Sequence, residues 1–108
     1  MANTLLTRQH HGQTISIDVG SQLTVQLDES PTTGYAWAAV QAGDALPLTG
    51  DHFTQATPGG VGGGGQRRLQ FDVRQPGEHR LELALMRPWE GEAAAVDRFK
   101  VTVQAHPA

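Results

Sequence analysis

Cysteine is missing from this chain of 108 residues. The protein therefore has no disulfide bond, no thiolate nucleophile and no cysteine-ligated zinc, and cysteine usage says nothing about its compartment. Long apolar runs are missing too, since no stretch approaches the roughly 18 residues of a membrane-spanning helix. The sequence as given also has no basic start followed by an apolar run, so it contains no signal peptide, and the compartment stays open.

An excess of one charge is also absent. The net charge is −3 at pH 7, from 8 basic and 11 acidic residues that do not cluster. We therefore expect neither a nucleic acid nor a membrane as a partner. The five histidines lack the i, i+4 spacing of a metal site, and no Gly-x-Ser-x-Gly elbow surrounds Ser30. We expect no catalytic residue, no metal site and no cofactor.

The chain does contain a repeated two-residue alternation of apolar and polar side chains, as in residues 14–19. No segment has helical periodicity over about ten residues. Short strands separated by turns predict an all-β, immunoglobulin-like antiparallel β-sandwich. We expect one domain over residues 1–108, with residues 1–12 as a loosely ordered N-terminal segment. The predicted inward rows include Ile15, Ile17, Leu23, Val25, Leu27, Trp37, Leu69, Phe71, Leu81, Leu83, Val101 and Val103.

Three short loops interrupt this alternation. Residues 30–35 read Ser-Pro-Thr-Thr-Gly-Tyr, residues 62–65 are four glycines, and residues 87–90 read Arg-Pro-Trp-Glu. Pro31 restricts φ, and Gly34 can adopt the positive φ that closes a turn. Trp and Arg are frequent hot spots of binding, which favours a binding edge over a catalytic cleft. Each loop also has a plain alternative: a tight turn, a floppy hairpin loop, and a Trp89 that folds back onto its own core.

Together and in this order, the three loops resemble those of the chagasin family of cysteine-peptidase inhibitors. That family has an Asn-Pro-Thr-Thr-Gly-aromatic loop, a Gly-x-Gly-Gly loop and an Arg-Pro-Trp loop. Here Ser30 replaces the Asn, and both side chains can cap a turn through an oxygen atom. The resemblance implies a sandwich with three binding loops at one end. It also implies a tight-binding, reversible inhibitor of papain-type cysteine peptidases, which is not an enzyme and is a monomer when free.

The resemblance also implies which residues contact the peptidase. Thr32 and Thr33 are expected over its catalytic Cys and His, with Trp89 on one side of the cleft and the glycine loop on the other. Two alternatives remain: a carbohydrate-binding or adhesive immunoglobulin-like module that uses Trp89 as a stacking platform, and an inhibitor of serine peptidases that uses the same edge. The expected peptidase-binding residues are Ser30, Pro31, Thr32, Thr33, Gly34, Tyr35, Gly62, Gly63, Gly64, Gly65, Arg87, Pro88, Trp89 and Glu90.

Overall fold

The computed structural model describes residues 3–30, 33–55 and 64–107, which form two four-stranded sheets. The strands are β1 (Asn3–Leu6), β2 (Thr14–Asp18), β3 (Gln22–Glu29), β4 (Ala36–Gln41), β5 (Leu48–Gln55), β6 (Gly65–Asp72), β7 (Gly77–Met86) and β8 (Asp97–His106). Their orders are β1-β3-β6-β5 and β2-β8-β7-β4. Short 3₁₀ turns lie at Arg8–His10 and Glu92–Ala94, and no helix in the described ranges could cross a membrane. The predicted all-β, immunoglobulin-like sandwich is confirmed.

Strand pairing is antiparallel at the centre of each sheet and parallel at one edge of each. β6 pairs antiparallel with β3 and β5, and β7 pairs antiparallel with β4 and β8. The edge strands β1 and β2 instead run parallel to β3 and β8. The parallel pair of β1 and β3 arises because the chain crosses to the other sheet to form β2 between them. A parallel pair needs such a crossover and cannot be made by a tight hairpin.

The core lies between the sheets and contains the predicted inward rows. All the predicted core residues are buried except Ile15, which is partly buried and packs against the cluster. In the last strand, the sequence predicts that either Val96 or Phe99 faces inward together with Val101 and Val103. The structure buries Phe99 completely and leaves Val96 59% exposed. Alternate residues of β8 point to the same face, so Phe99 lies on one face with Val101 and Val103, whereas Val96 precedes the strand.

The N-terminal segment differs from the loosely ordered one expected for residues 1–12. Asn3–Leu6 forms an edge strand, and Leu6 is only 1% exposed. The following 3₁₀ turn is held by Arg8, whose guanidinium lies 2.9 Å from a carboxylate oxygen of Asp97. Burial of Leu6 in the core and the pairing of β1 with β3 both stabilise this segment. A strand of four residues is too short for alternation to be recognised in the sequence.

Candidate functional site

The strand registers bring the three loops to one end of the sandwich. In the first sheet, Gly65 at the start of β6 is paired with Glu29 and Gln55, the last residues of β3 and β5. The loop of residues 30–35 therefore begins at the same end of this sheet as the loop of residues 56–64. In the second sheet, Ala36 is paired with Met86, where the loop of residues 87–96 begins. The loop of residues 30–35 runs from the first sheet to the second. All three loops are therefore attached at the same end.

The structure describes only part of the predicted site. Pro31, Thr32, Gly62 and Gly63 lie outside the described residues, so the roles expected of them stay predictions. The described members are Ser30, Thr33, Gly34, Tyr35, Gly64, Gly65, Arg87, Pro88, Trp89 and Glu90. Within this set, direct contacts join the first loop to the third, whereas Gly64 and Gly65 lie at the root of the glycine loop.

The first loop is closed by the side chain of Thr33. Its hydroxyl donates a hydrogen bond of 2.9 Å to the carbonyl oxygen of Ser30, and its backbone N–H donates to the same oxygen at 3.3 Å. The Thr33 hydroxyl also accepts a hydrogen bond of 3.3 Å from the N–H of Tyr35. Gly34, with φ of +78°, completes the turn as the sequence predicts. The Thr33 hydroxyl therefore shapes the loop, and the residue is exposed to solvent.

Arg87 joins the third loop to the first. Its Nε donates a hydrogen bond of 3.3 Å to the carbonyl oxygen of Thr33. Its guanidinium carbon lies 4.4 Å from the centre of the Tyr35 ring, a cation–π contact. The same guanidinium approaches a carboxylate oxygen of Glu90 at 3.8 Å. These contacts make the first and third loops one structural unit.

Trp89 projects from this unit into solvent. Its side chain is 73% exposed, whereas Trp37 is only 4% exposed and lies in the core, as predicted. The alternative in which Trp89 folds back onto its own core is therefore wrong. The edge of the Trp89 ring instead packs on Gly34, where a Cβ would lie 3.2 Å from the ring carbon Cη2. The missing side chain at Gly34 leaves room for this contact.

The far half of the third loop is held by an ion pair on the second sheet. Arg98 donates a hydrogen bond of 2.6 Å to the carboxylate of Glu82, on the neighbouring strand. It also donates to the carboxylate and to the carbonyl oxygen of Glu92, both at 3.1 Å. The hydrogen bond with Glu82 raises the pKa of Arg98. Contacts thus hold this loop on both sides of Trp89, through Arg87 to the first loop and through Arg98 to the second sheet.

Sequence analysis missed two charged residues beneath the loops, Glu29 and Arg67. The Glu29 carboxylate accepts a hydrogen bond of 2.7 Å from the Trp37 N–H and one of 2.6 Å from Nη2 of Arg67. This hydrogen bond with Glu29 raises the pKa of Arg67. A signal was present, because Glu29 continues the inward row of Leu27 and Arg67 that of Leu69. A charge at an inward position predicts a buried ion pair.

The arrangement is suited to binding. Among the described residues at this end, the large apolar side chains of Trp89 and Val96 are exposed, at 73% and 59%. Val96, Tyr35 and Leu85 line part of a concavity at this end. Within the described ranges, no group of three or more His, Asp or Glu could hold a metal ion. This end therefore has a partly apolar surface on two loops that are fixed to each other, which suits the binding of a protein partner.

Comparison with known proteins agrees with this geometry. Residues 16–103 match the family described as Chagasin family peptidase inhibitor I42. Chagasin of Trypanosoma cruzi is 28% identical over 106 residues, covering 94% of this chain and 96% of chagasin. Amoebiasin-1 of Entamoeba histolytica is 35% identical over 103 residues, covering 92% and 98%. The crystal structure of the cysteine protease inhibitor EhICP2 from Entamoeba histolytica superposes with a TM-score of 0.86 at 27% identity, covering 98% and 97%. The chain belongs to the chagasin family of peptidase inhibitors.

Proposed function

We propose that this protein is a tight-binding, reversible inhibitor of papain-type cysteine peptidases that occludes their active-site cleft with its three loops. The observation that carries the proposal is the position of Trp89, which is exposed on a loop that Arg87 fixes to the Thr33 loop. The family consists of peptidase inhibitors, and the similar structure EhICP2 is a cysteine protease inhibitor. The proposed contact residues are those of residues 30–35, 62–65 and 87–90.

Rigidity explains how such a surface could bind tightly. A loop that is already ordered loses little conformational entropy on binding. Here the Thr33 hydroxyl closes the first loop, and Arg87 braces it against the third. Protease–inhibitor interfaces of about 1,600 Å² are among the tightest known. Binding of this kind needs no covalent bond and no cofactor.

The shape of the first loop also explains how cleavage would be avoided. The carbonyl oxygen of Ser30 accepts hydrogen bonds from both the backbone and the hydroxyl of Thr33, so this segment is a closed turn. Pro31 has no backbone N–H, so this segment also lacks one of the donors with which an extended peptide would pair with a cleft. A closed turn does not present the extended peptide that a substrate would.

Inhibition assays test the proposal directly. The full chain is incubated with papain, two further papain-type peptidases and trypsin, and residual activity is read on small fluorogenic substrates. We expect an inhibition constant in the nanomolar range or below for at least one papain-type enzyme, which corresponds to about 12 kcal/mol, and no effect on trypsin. Absence of inhibition at micromolar concentration, or rapid cleavage of the protein, would reject the proposal. Inhibition of trypsin alone would support the serine-peptidase alternative.

A further inference from the structure

A buried ion pair lies under the loops and belongs to none of the three loop motifs. Glu29 is the last residue of β3, and its side chain is only 2% exposed. Arg67 on β6 has a side chain that is 20% exposed and lies 2.6 Å from the Glu29 carboxylate. Its Nε donates to both Glu29 oxygens, at 3.1 and 3.2 Å. The pair is thus a multiply hydrogen-bonded contact inside the loop end of the sandwich.

This pair connects four strands. Glu29 on β3 accepts a hydrogen bond of 2.7 Å from the N–H of Trp37 on β4, which belongs to the opposite sheet. Arg67 on β6 donates a hydrogen bond of 2.9 Å to Asp51 on β5. Its guanidinium carbon also lies 5.5 Å from the centre of the Phe53 ring, on the same strand. One carboxylate and one guanidinium therefore link both sheets.

The connected residues stand at the roots of two loops. Glu29 immediately precedes the first loop and Trp37 is the second residue after Tyr35, so their hydrogen bond closes that loop at its base. Arg67 lies two residues after Gly65, where the glycine loop rejoins the sheet. Gly65 itself is covered by Phe53, since a Cβ at Gly65 would lie 2.5 Å from the ring carbon Cζ. The Glu29–Arg67 ion pair thus connects the base of the first loop to the base of the glycine loop.

Stability alone is a weak reason for this arrangement. Burial of two charges costs desolvation energy, and well-packed apolar residues often replace such a pair without loss of stability. An apolar pair would not supply an acceptor for the Trp37 N–H. That hydrogen bond is what joins the two ends of the first loop.

We infer that Glu29 and Arg67 are positioning residues for peptidase binding, which hold the first loop and the glycine loop in their binding arrangement. Glu29 is too deeply buried to contact the peptidase itself and acts through the loops. The inference rests on the proposed function, because it concerns the affinity of the same surface.

The test uses a double substitution that separates positioning from stability. Glu29→Leu alone leaves Arg67 unpaired and is expected to destabilise the fold. Glu29→Leu with Arg67→Met removes both charges, so the melting temperature should rise above that of Glu29→Leu alone, while the unpaired Trp37 N–H keeps it below that of the wild type. The Trp37 N–H still lacks its acceptor. We therefore expect the double variant to inhibit papain about tenfold more weakly or worse, which is about 1.4 kcal/mol. Asp72→Asn, in the exposed pair with Arg74 at the opposite end, is the matched control and should leave inhibition unchanged.

Amide hydrogen exchange in the uncomplexed proteins gives a second readout. We expect exchange at the N–H groups of Tyr35 and Trp37 to accelerate in the double variant by a larger factor than exchange at the centre of β8. Equal inhibition by the wild type and a well-folded double variant, or unchanged exchange at both amides, would overturn the inference. Absence of inhibition by the wild type would reject the proposed function and the positioning role with it, whatever the exchange data show about the loops.

Discussion

The guanidinium of Arg87 stacks on the ring of Tyr35, with 4.4 Å between the guanidinium carbon and the ring centre. The two residues are far apart in the sequence, and each belongs to a different loop of the proposed binding surface. Arg87 also donates from Nε to the carbonyl oxygen of Thr33. A planar guanidinium can stack and donate in this way at the same time, whereas a lysine ammonium cannot. The combination of the Tyr35 stacking and the Thr33 hydrogen bond therefore requires arginine at position 87.

Arg87→Lys should weaken inhibition by about 1 kcal/mol, because the charge is kept while the stacking and the Nε hydrogen bond are lost. The inhibition constant on papain and the melting temperature are measured together. Arg80→Lys, at an exposed position on β7, the strand that leads into the loop of Arg87, is the control and should change neither. Equal inhibition constants for the wild type and Arg87→Lys would show that this contact does not organise the surface.

Gly34→Ala should reduce affinity more than its effect on stability explains. Gly34 has a φ of +78° and Gly43 a φ of +77°, so alanine at either position costs about 1 kcal/mol of backbone strain. Only at Gly34 does the added Cβ meet Trp89, at 3.2 Å, whereas the space around Gly43 is open. We expect similar losses of unfolding free energy, measured with urea, and a loss of inhibition for Gly34→Ala alone. Equal inhibition by both variants would contradict this role of Gly34.

Trp89→Ala should weaken inhibition by ~2 kcal/mol or more, as for a hot spot at an interface. The thermal stability should change little, because the side chain is 73% exposed. Leu48→Ala is the matched control, since Leu48 is a large apolar side chain, 48% exposed, at the opposite end of β5 from the loops. A large fall in melting temperature with no loss of affinity would instead identify Trp89 as a structural residue.

Thr33→Val should weaken inhibition by about 1 kcal/mol, because it removes the hydroxyl that bonds the carbonyl oxygen of Ser30 and the N–H of Tyr35. Thr33→Ser keeps that hydroxyl and should retain most of the affinity. The comparison uses inhibition constants on one peptidase, with folding checked by circular dichroism. If valine and serine gave the same constant, the hydroxyl would have no part in shaping the loop.

The sequence by itself predicted the class of fold and the places where three loops interrupt the strands. Alternation with a period of two assigns each side chain to one face of a strand, so the buried rows at Leu23 and Phe71 follow directly from the order of residues. The first loop could be recognised because Pro31 restricts the backbone and Gly34 permits the positive φ of a turn. The edge strand containing Leu6 was missed, because four residues are too few for a periodic pattern.

Only the tertiary structure decided how the loops are joined. Alternation assigns a face to each residue but does not say which strand lies beside it or which loop lies opposite. The contact of Arg87 with Tyr35 and that of Glu29 with Trp37 depend on how the two sheets stack and in which register their strands pair. Contacts of this kind form between groups that folding brings together, and their energies depend on distance and direction in space. A local pattern in the chain contains neither quantity.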